Sequence, residues 1–452
     1  MPIAVSRPVG VRRRPQPLWG SREAFFTEAG LFVFGLAGLY DVNLIGALPG
    51  SEVLLFALLP VLLLAHGSRA FEQQYLRFYM LAGGWLVGTL IADAYNGIAM
   101  FNRAKGTARV VFFILDFVAL AIFLNRKTRR ILIFALSVAF LLLASSWQFS
   151  SDFPLQWKFG FSQGFAMLAL LGASYFYAKR RYRRSFLISV VLAGLNLHYG
   201  FRSQLGVHFI SAIVILPLFA EAGPRKGATD TWRILVLLVL VGSGAYAANA
   251  SINFAARNGF FDESQNSKFL GQSSGDYGVL VGGRPETLVA IQAIRDRPII
   301  GHGSFPFEMK YLQLKQDIQY QHGYSDSDQA EDTETPVIPT HSHLTLAWVE
   351  GGILGGICWI YILILTIRST LRLSALRPQL APLYSYLLVN FLWDILYSPF
   401  GSINRIRAAF CILLSYSILR TPLATSVRPL GIQKKVAASP RRTVRLVSRV
   451  TN

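Results

Sequence analysis

Charged residues are scarce in this chain of 452 residues, since Asp, Glu, Lys and Arg make up only 15% of it. A soluble globular domain carries roughly 25%. Hydrophobic residues account for 53% of the chain. This balance argues against a soluble protein and indicates that much of the chain lies in a membrane.

Cysteines and phosphate-binding glycine patterns are scarce as well. Cys358 and Cys411 are the only cysteines. Both lie inside apolar runs, so the sequence holds no disulfide framework and no closely spaced thiol pair for a metal. No glycine-rich loop follows a predicted strand, which argues against a nucleotide-binding domain.

Acidic residues are outnumbered by basic ones, 24 to 44, which gives a formal net charge of +20. Such a charge can bind nucleic acid, but here Lys and Arg concentrate in short loops and in the two tails, next to apolar segments. That distribution is typical of topology control and of attraction to anionic lipid head groups. Membrane lipids, and no nucleic acid, are therefore the expected partners.

Long apolar runs occupy much of the chain. A membrane-spanning helix needs about 20 mostly apolar residues. The sequence predicts twelve such helices, near residues 29–48, 52–67, 77–96, 108–124, 131–147, 159–178, 185–200, 203–220, 232–250, 342–367, 379–399 and 402–419. Loops rich in Lys and Arg alternate with other loops, and the positive-inside rule places the basic ones, with both termini, in the cytoplasm. The predicted fold class is an all-α polytopic membrane protein.

This topology divides the chain into five parts. They are a basic cytoplasmic tail at 1–28, nine membrane helices at 29–250, a large outer loop at 251–340, three membrane helices at 341–420 and a second basic cytoplasmic tail at 421–452. Short helices are expected inside the large loop, because it is the one segment between spans that is long enough to form a small domain.

Several cations lie on the outer side of this topology, where the positive-inside rule disfavours them. They are Arg103, Lys105, Arg109, Arg202, Arg284, Arg295, Arg297, Arg405 and Arg407. A guanidinium pairs bidentately with phosphate oxygens, so an anionic ligand such as a lipid diphosphate at the outer membrane surface would explain them. The alternatives for any single arginine are contact with lipid phosphates and a salt bridge with the acidic part of the loop.

The large loop contains the stretch GRPETLVAIQAIRDRPIIGHGSFPF, which begins at Gly283. Apolar residues recur at helical spacing between 286 and 297, so a short amphipathic helix is predicted there. Arg284 lies just before its start and Pro298 ends it. The GHG sequence that follows predicts a turn.

The stretch PTHSHLTLAWVEGG places His341 and His343 where this loop ends and a long apolar run begins. Metal ligation, general base catalysis and an ordinary polar position at a helix edge are the three alternatives. The outer histidines lack H-x-x-x-H spacing, and an i, i+2 pair does not share a helix face, so no metal is expected. Further along the run, Gly352 and Gly355 allow close helix packing.

Together, RPETLVAIQAIRDRPIIGHG and HSHLTLAWVEGGILGG resemble the O-antigen ligase and O-antigen polymerase superfamily. The family pattern runs from an arginine and a short helix through a proline and a G-x-G turn to a histidine, an apolar run and E-x-G-x-x-G. It falls here on Arg284, Pro298, Gly301, Gly303, His341, Glu350, Gly352 and Gly355. The spacing to E-x-G selects His341 over His343, and an arginine that the family carries near an earlier outer turn matches Arg202. Ser342 stands where the family usually has Asn, and Phe201 where it usually has Ser.

This resemblance, which covers roughly residues 200–365, implies a GT-C-like glycosyltransferase of the bacterial inner membrane with the large loop in the periplasm. The implied donor is a glycan on an undecaprenyl diphosphate carrier, and neither a cofactor nor a metal takes part. His341 is the implied general base for a sugar hydroxyl, because a histidine pKa starts at about 6.5. Arg284 and Arg202 are the implied diphosphate ligands, and a direct displacement would invert the anomeric centre.

Supporting roles at the same site are expected for His343, Arg405, Arg407 and Glu350. Ligation of O-antigen to lipid A core is the favoured reaction. Polymerisation of O-antigen, capsule or exopolysaccharide uses the same donor and differs in its acceptor, a growing glycan. The two reactions are not separated by any pattern in the sequence.

A transporter or flippase remains an alternative because of Asp116 and Asp394. Both lie inside apolar runs, where a carboxylate needs a partner or a cavity, so they could mark an ion path. Paired broken helices in two halves, a frequent feature of transporters, are not evident in the sequence.

Overall fold

The computed structural model describes residues 22–43, 47–149, 152–216, 284–321 and 337–422, together with three single positions between 250 and 258. Fourteen α-helices are delimited in these residues: α1 Arg22–Leu36, α2 Gly50–Ala70, α3 Leu76–Tyr95, α4 Met100–Leu124, α5 Thr128–Phe149, α6 Phe153–Gln156, α7 Ser162–Ala178, α8 Tyr182–His198, α9 Arg202–Val214, α10 Pro285–Asp296, α11 Met309–Gln321, α12 His343–Leu376, α13 Ala381–Tyr397 and α14 Ser402–Arg420. The same residues include 3-10 turns at Ala37–Leu39 and Gln73–Tyr75, a π-helical turn at Trp157–Phe161, and two antiparallel strands, β1 Asp41–Asn43 and β2 Ala47–Pro49.

Seven helical segments of the described residues are long and apolar enough to cross a membrane. They are Gly50–Ala70, Gln73–Tyr95, Met100–Leu124, Thr128–Trp147, Phe153–Ala178, His343–Leu376 and Ser402–Arg420. The prediction of an all-α polytopic membrane protein is confirmed at this level.

The other predicted spans have different outcomes. Those at 185–200 and 379–399 correspond to α8 and α13, which are each 17 residues long. The span predicted at 203–220 begins as α9, a helix of 13 residues. The span at 232–250 and about half of the loop at 251–340 lie outside the described residues, and so do residues 1–21 and 423–452 of the two tails.

The prediction of one continuous helix at 29–48 is wrong. Helical structure begins earlier, at Arg22, and ends at Leu39, after which β1 and β2 pair in antiparallel register. The sequence DVN at 41–43 disfavours a helix, because Asp and Asn compete for backbone hydrogen bonds and Val is β-branched. The strand pair returns the chain to Tyr40, whose carbonyl oxygen accepts the Gly50 amide at 2.5 Å.

The core of the bundle forms around α12, which packs against α3, α13 and α14. Trp85, Phe113 and Trp359 are fully buried there, with ring centroids 5.7 to 6.0 Å apart. Lipid is as apolar as these side chains, so the helices associate through close packing. At Gly88 of α3, a Cβ atom would lie 2.5 Å from the carbonyl oxygen of Gly351 in α12, so this contact requires glycine.

Substitution of Gly88 by Ala is expected to lower the free energy of unfolding by about 1–3 kcal/mol, the usual cost of overfilling a packed core. Gly83→Ala in the same helix is the matched control, because a Cβ atom at Gly83 meets no other atom within 4 Å. Thermal unfolding in detergent should show a lower Tm for the first variant and an unchanged or higher Tm for the second. Equal Tm values would contradict the close approach of α3 to α12.

Candidate active site

The first residues of four helices, α9, α10, α12 and α14, or residues directly before them, lie around the last two turns of α13, residues 390–397. Gln204 of α9 donates to Asn390 at 2.6 Å, and Ser342, just before α12, donates to the Ile395 carbonyl at 2.9 Å. Arg407 of α14 contacts Asp394, and Arg284, just before α10, donates to the Tyr397 carbonyl. We call these eight residues, with His341 and His343 beside Ser342, the α13-end cluster.

Arg284 lies between two aromatic side chains of α13. Its guanidinium carbon is 5.2 Å from the ring centroid of Trp393 and 5.3 Å from that of Tyr397. Burial lowers the pKa of Arg284 from its ordinary value, and the nearby Glu286, Tyr397 and Asp394 oppose this shift. An arginine nevertheless stays charged in a protein, so the cluster contains a partly desolvated cation.

Asp394 and Arg407 form the charged centre of the cluster. Asp394 Oδ2 accepts from Arg407 at 3.3 Å and from Asn390 at 3.0 Å, and its Oδ1 accepts from Ser398 at 2.7 Å. The sequence marked Asp394 as a carboxylate in need of a partner but did not assign it to this site. The signal that could have found it is its place, 13 residues before Arg407 across a short turn that is predicted to be on the outer side.

A narrow cleft of about 20 Å³, room for about one water molecule, lies beside this ion pair. His343, Asn390, Asp394 and Arg407 form its polar side. Its lining also includes apolar residues such as Met167 and Phe391.

The two histidines occupy different environments. His341 is exposed, whereas His343 is 1% exposed, with its ring centroid 4.9 Å from those of both Trp359 and Phe400. Neither ring nitrogen of His343 meets hydrogen-bond geometry with a described residue, although the Pro399 carbonyl lies beside the ring. A general base must reach the proton that it removes, and of the two rings His341 is the one that solvent reaches.

Ser342 explains how the α12 start is held. Its hydroxyl oxygen accepts the Thr345 amide at 3.1 Å, which caps the helix, and its hydroxyl donates to the Ile395 carbonyl at 2.9 Å. A serine N-cap satisfies an amide that would otherwise lack a partner. Ser342 therefore holds the backbone that follows His341 against α13.

Glu350 lies outside the cluster and forms a buried ion pair with Arg109 of α4. The two charged atoms are 2.8 Å apart and both side chains are 7% exposed. Glu350 also accepts the Phe305 amide at 3.2 Å, and the Arg109 guanidinium carbon lies 4.3 Å from the Phe305 ring centroid. The pair therefore fixes the segment that follows the GHG turn.

The same segment pairs with a break in α12 at Gly352, where φ is 62° and ψ is −153°. The Ile353 amide donates to the Ile299 carbonyl at 3.0 Å. The Val349 and Glu350 carbonyls accept the amides of residues 302 and 303 at 2.6 and 3.1 Å. A Cβ atom at 352 would lie 2.0 Å from the Ile299 oxygen. Glycine is required here for both its positive φ and its lack of a side chain.

The predicted loop helix is confirmed as α10 and is held by α11. Asp296 accepts from Tyr311 at 2.7 Å and from Lys310 at 3.0 Å. These hydrogen bonds lower the pKa of Asp296 to about 2. His302 joins the two elements, because its Nδ1 lies 2.6 Å from Glu308 Oε1 and its Nε2 lies 2.9 Å from the Ala293 carbonyl. The helix that follows Arg284 is therefore anchored at its far end.

Arg405 and Arg202 complete the predicted site residues. Arg405 is directed away from the cluster and forms two hydrogen bonds, of 2.7 and 2.6 Å, with the fully buried Glu52 of α2. Arg202 is the first residue of α9, two positions before Gln204, and it is partly buried. Arg202 therefore lies at the same end of the bundle as the α13-end cluster.

Among the described residues, no group of three His, Cys, Asp or Glu side chains is arranged to hold a metal ion. A scan against protein-family models and searches of curated proteins and of solved structures found no match to the chain. The class that the described helices define is a polytopic α-helical membrane protein. Its function is inferred from the residues of the site.

Proposed function

We propose that the protein transfers a glycan from an undecaprenyl diphosphate carrier to an acceptor at the periplasmic face of the bacterial inner membrane. The observation that carries this proposal is that Arg284, Arg407 and Ser342 all contact the last two turns of α13, with the exposed His341 directly before Ser342. Arginines stabilise a departing diphosphate and a histidine removes the proton of an attacking hydroxyl. The resemblance of residues 200–365 to the O-antigen ligase and polymerase superfamily supports the same reaction.

The topology that this function requires is a GT-C-like arrangement of about twelve membrane helices, with the loop at 251–340 in the periplasm and both termini in the cytoplasm. Contacts at the two ends of the bundle support it. The α3–α4 turn contacts the loop through Asn96, which donates to the Gly301 carbonyl at 3.1 Å. At the opposite end, Glu72 pairs with Arg126 and Arg420 next to the predicted cytoplasmic loops.

In the proposed reaction, the acceptor hydroxyl attacks the anomeric carbon as His341 takes its proton. The bond from that carbon to the phosphate oxygen breaks, and the electron pair leaves with the diphosphate. Arg284 and Arg202 bind the charge that develops on the leaving group. A single displacement inverts the anomeric centre. His341 holds the proton of the acceptor hydroxyl, and no metal or cofactor takes part.

Ligation to lipid A core is the favoured form of the reaction, and polymerisation onto a growing glycan is the alternative with the same site. A transporter or flippase is the second candidate function. The observation that favours it is Asp116, a fully buried carboxylate next to Glu52 and Arg405, because neither of its oxygens has a hydrogen-bond partner among the described residues. Buried carboxylates of this kind occur in ion paths.

The purified protein in lipid vesicles, given an undecaprenyl diphosphate-linked glycan, separates these functions. We expect a new glycosidic bond, detected by mass spectrometry of the product. Product that requires added lipid A core indicates a ligase, and product that lengthens the donor glycan without it indicates a polymerase. Movement of intact donor across the vesicle membrane with no new bond would overturn the proposal in favour of transport.

A further inference from the structure

Among the residues that the structure describes, three arginines of membrane helices pair with buried carboxylates, and one of these pairs differs from the other two. Arg109 lies 2.8 Å from Glu350, and Arg405 makes bonds of 2.7 and 2.6 Å to Glu52. Arg407 is held to Asp394 by one longer contact of 3.3 Å. Charge-assisted hydrogen bonds are normally about 2.7–2.9 Å long. Of the three arginines, Arg407 therefore has the weakest hydrogen bond to its carboxylate.

Arg407 also has access to the cleft that the other two lack. Its side chain is 19% exposed and lines the cleft, whereas those of Arg109 and Arg405 are each 7% exposed and do not line it. A second, long contact of 3.4 Å joins Arg407 to Asn404 of its own helix. An anion that enters the cleft therefore meets Arg407 first among these three cations.

Asp394 does not depend on Arg407 for its position. Ser398 and Asn390 both donate to its carboxylate from the same helix or directly after it. Asn390 is held in turn by Gln204, which accepts from the Tyr386 hydroxyl at 3.2 Å. These donors would keep the carboxylate hydrogen-bonded after Arg407 turned away from it, so the cost of separating the pair is limited.

Two arginines lie near the carboxylate of Asp394: Arg407 contacts it, and Arg284 acts on it through its charge. Arg284 lies within electrostatic range of Asp394 and of Glu286. Together with Glu286 and its partner Lys315, these groups carry one net positive charge in a partly buried site. Such an excess favours the arrival of an anion, and two guanidinium groups match the oxygens of a diphosphate.

We infer that Arg407 is a diphosphate-binding residue beside Arg284, and that Asp394 is its counter-ion in the empty site, replaced when the lipid diphosphate binds. Asp394 is thus a positioning residue that keeps the Arg407 guanidinium in the cleft, and Arg405 is not part of the site. This inference rests on the proposed function, and it specifies that Arg407, and not Arg405, binds the diphosphate.

Binding of undecaprenyl diphosphate, without a glycan, to the purified protein in nanodiscs tests the inference. Arg407→Gln should weaken binding by about tenfold or more, because one charge-assisted contact is lost. Asp394→Asn should tighten binding by about fivefold, because a competing carboxylate is removed while its hydrogen-bonding shape remains. A misfolded variant does not gain affinity, so the second result keeps the test decisive if Arg407→Gln folds poorly.

Arg129→Gln is the matched control, since Arg129 pairs with Glu28 at the end of α5 that is predicted to be cytoplasmic and lies outside the cluster. Its affinity should equal that of the wild type. A parallel titration with inorganic pyrophosphate shows whether the diphosphate alone is recognised or whether the lipid contributes. In either titration, Asp394→Asn should bind more tightly than the wild type.

Turnover gives a second measurement that a purely structural role would not change. Asp394→Asn should lower both KM for the donor and kcat, because the diphosphate product leaves more slowly. Unchanged affinity in Arg407→Gln, or unchanged or weaker binding in Asp394→Asn, overturns the inference, while glycan transfer by the wild type still supports the proposed function. Diphosphate binding that follows the expected pattern without any new glycosidic bond overturns the proposed function but supports the assignment of Arg407 as a diphosphate ligand.

Discussion

Glycan transfer by His341→Ala is expected to be about 10²–10⁴-fold slower than by the wild type, the usual contribution of a general base. The side chain is exposed and the helix start beside it is capped by Ser342, so the fold should not depend on the imidazole. Donor binding should stay within the error of the measurement, because the diphosphate is bound by arginines. The rate of product formation under saturating donor measures the effect.

His198→Ala is the matched control for this substitution. His198 is likewise exposed, and it ends α8 three residues before Phe201 at the same end of the bundle. It should transfer glycan at the wild-type rate. Added imidazole should restore part of the activity of His341→Ala. Turnover retained by His341→Ala at an equal protein level would contradict the assignment of the base.

Loss of the buried carboxylate at Glu350 is expected to have the largest effect on stability. Glu350→Ala leaves Arg109 buried without a partner and removes the acceptor of the Phe305 amide. Breaking a buried ion pair from one side costs about 3–5 kcal/mol. The free energy of unfolding, measured by titration with SDS in mixed micelles, should fall by that amount, and transfer should fall with it because the segment at 299–305 loses its attachment.

Two further variants separate burial from charge. Glu72→Ala removes a carboxylate whose side chain is 28% exposed in its pairs with Arg126 and Arg420, and should cost less than about 1 kcal/mol. Replacement of both Arg109 and Glu350 by Met should recover much of the loss, because apolar residues in place of a buried pair are often neutral. Equal destabilisation by Glu72→Ala and Glu350→Ala would contradict the burial of the pair.

The elements that the sequence predicted well are those whose signals are local. The amphipathic helix α10 follows from apolar spacing between 286 and 297 and from Pro298 after it. The turn at Gly301 and Gly303 is also local, and both residues have φ of 84°. Long apolar helices such as α4 and α12 are evident from hydropathy alone.

Elements that depend on distant contacts could not be predicted in this way. Gly352 belongs to a glycine pattern that indicates helix packing, yet it breaks α12 because carbonyls there accept amides from residues about 50 positions earlier. The partner of Glu350, Arg109, is 241 positions away in the chain. The strand pair after α1 was missed for a local reason. The high average hydropathy of residues 29–48 obscured the short DVN segment.

The candidate site shows the same division. The order of motifs singled out Arg284 and His341, and both lie at the α13-end cluster. Arg405 and Arg407 are equivalent in the sequence, two positions apart near the start of one helix, and only the structure separates them. A 2-residue step on a helix turns the side chain by more than half a circle, so one arginine faces Glu52 and the other faces Asp394.

The most direct test of the account is an experimental structure of the protein in lipid nanodiscs with bound undecaprenyl diphosphate, determined by cryo-electron microscopy. The account predicts the diphosphate at the end of α13, in contact with Arg284 and Arg407, and with His341 facing the position of the first sugar. A diphosphate bound at the opposite end of the helices, or bound without contact to Arg284, would contradict it.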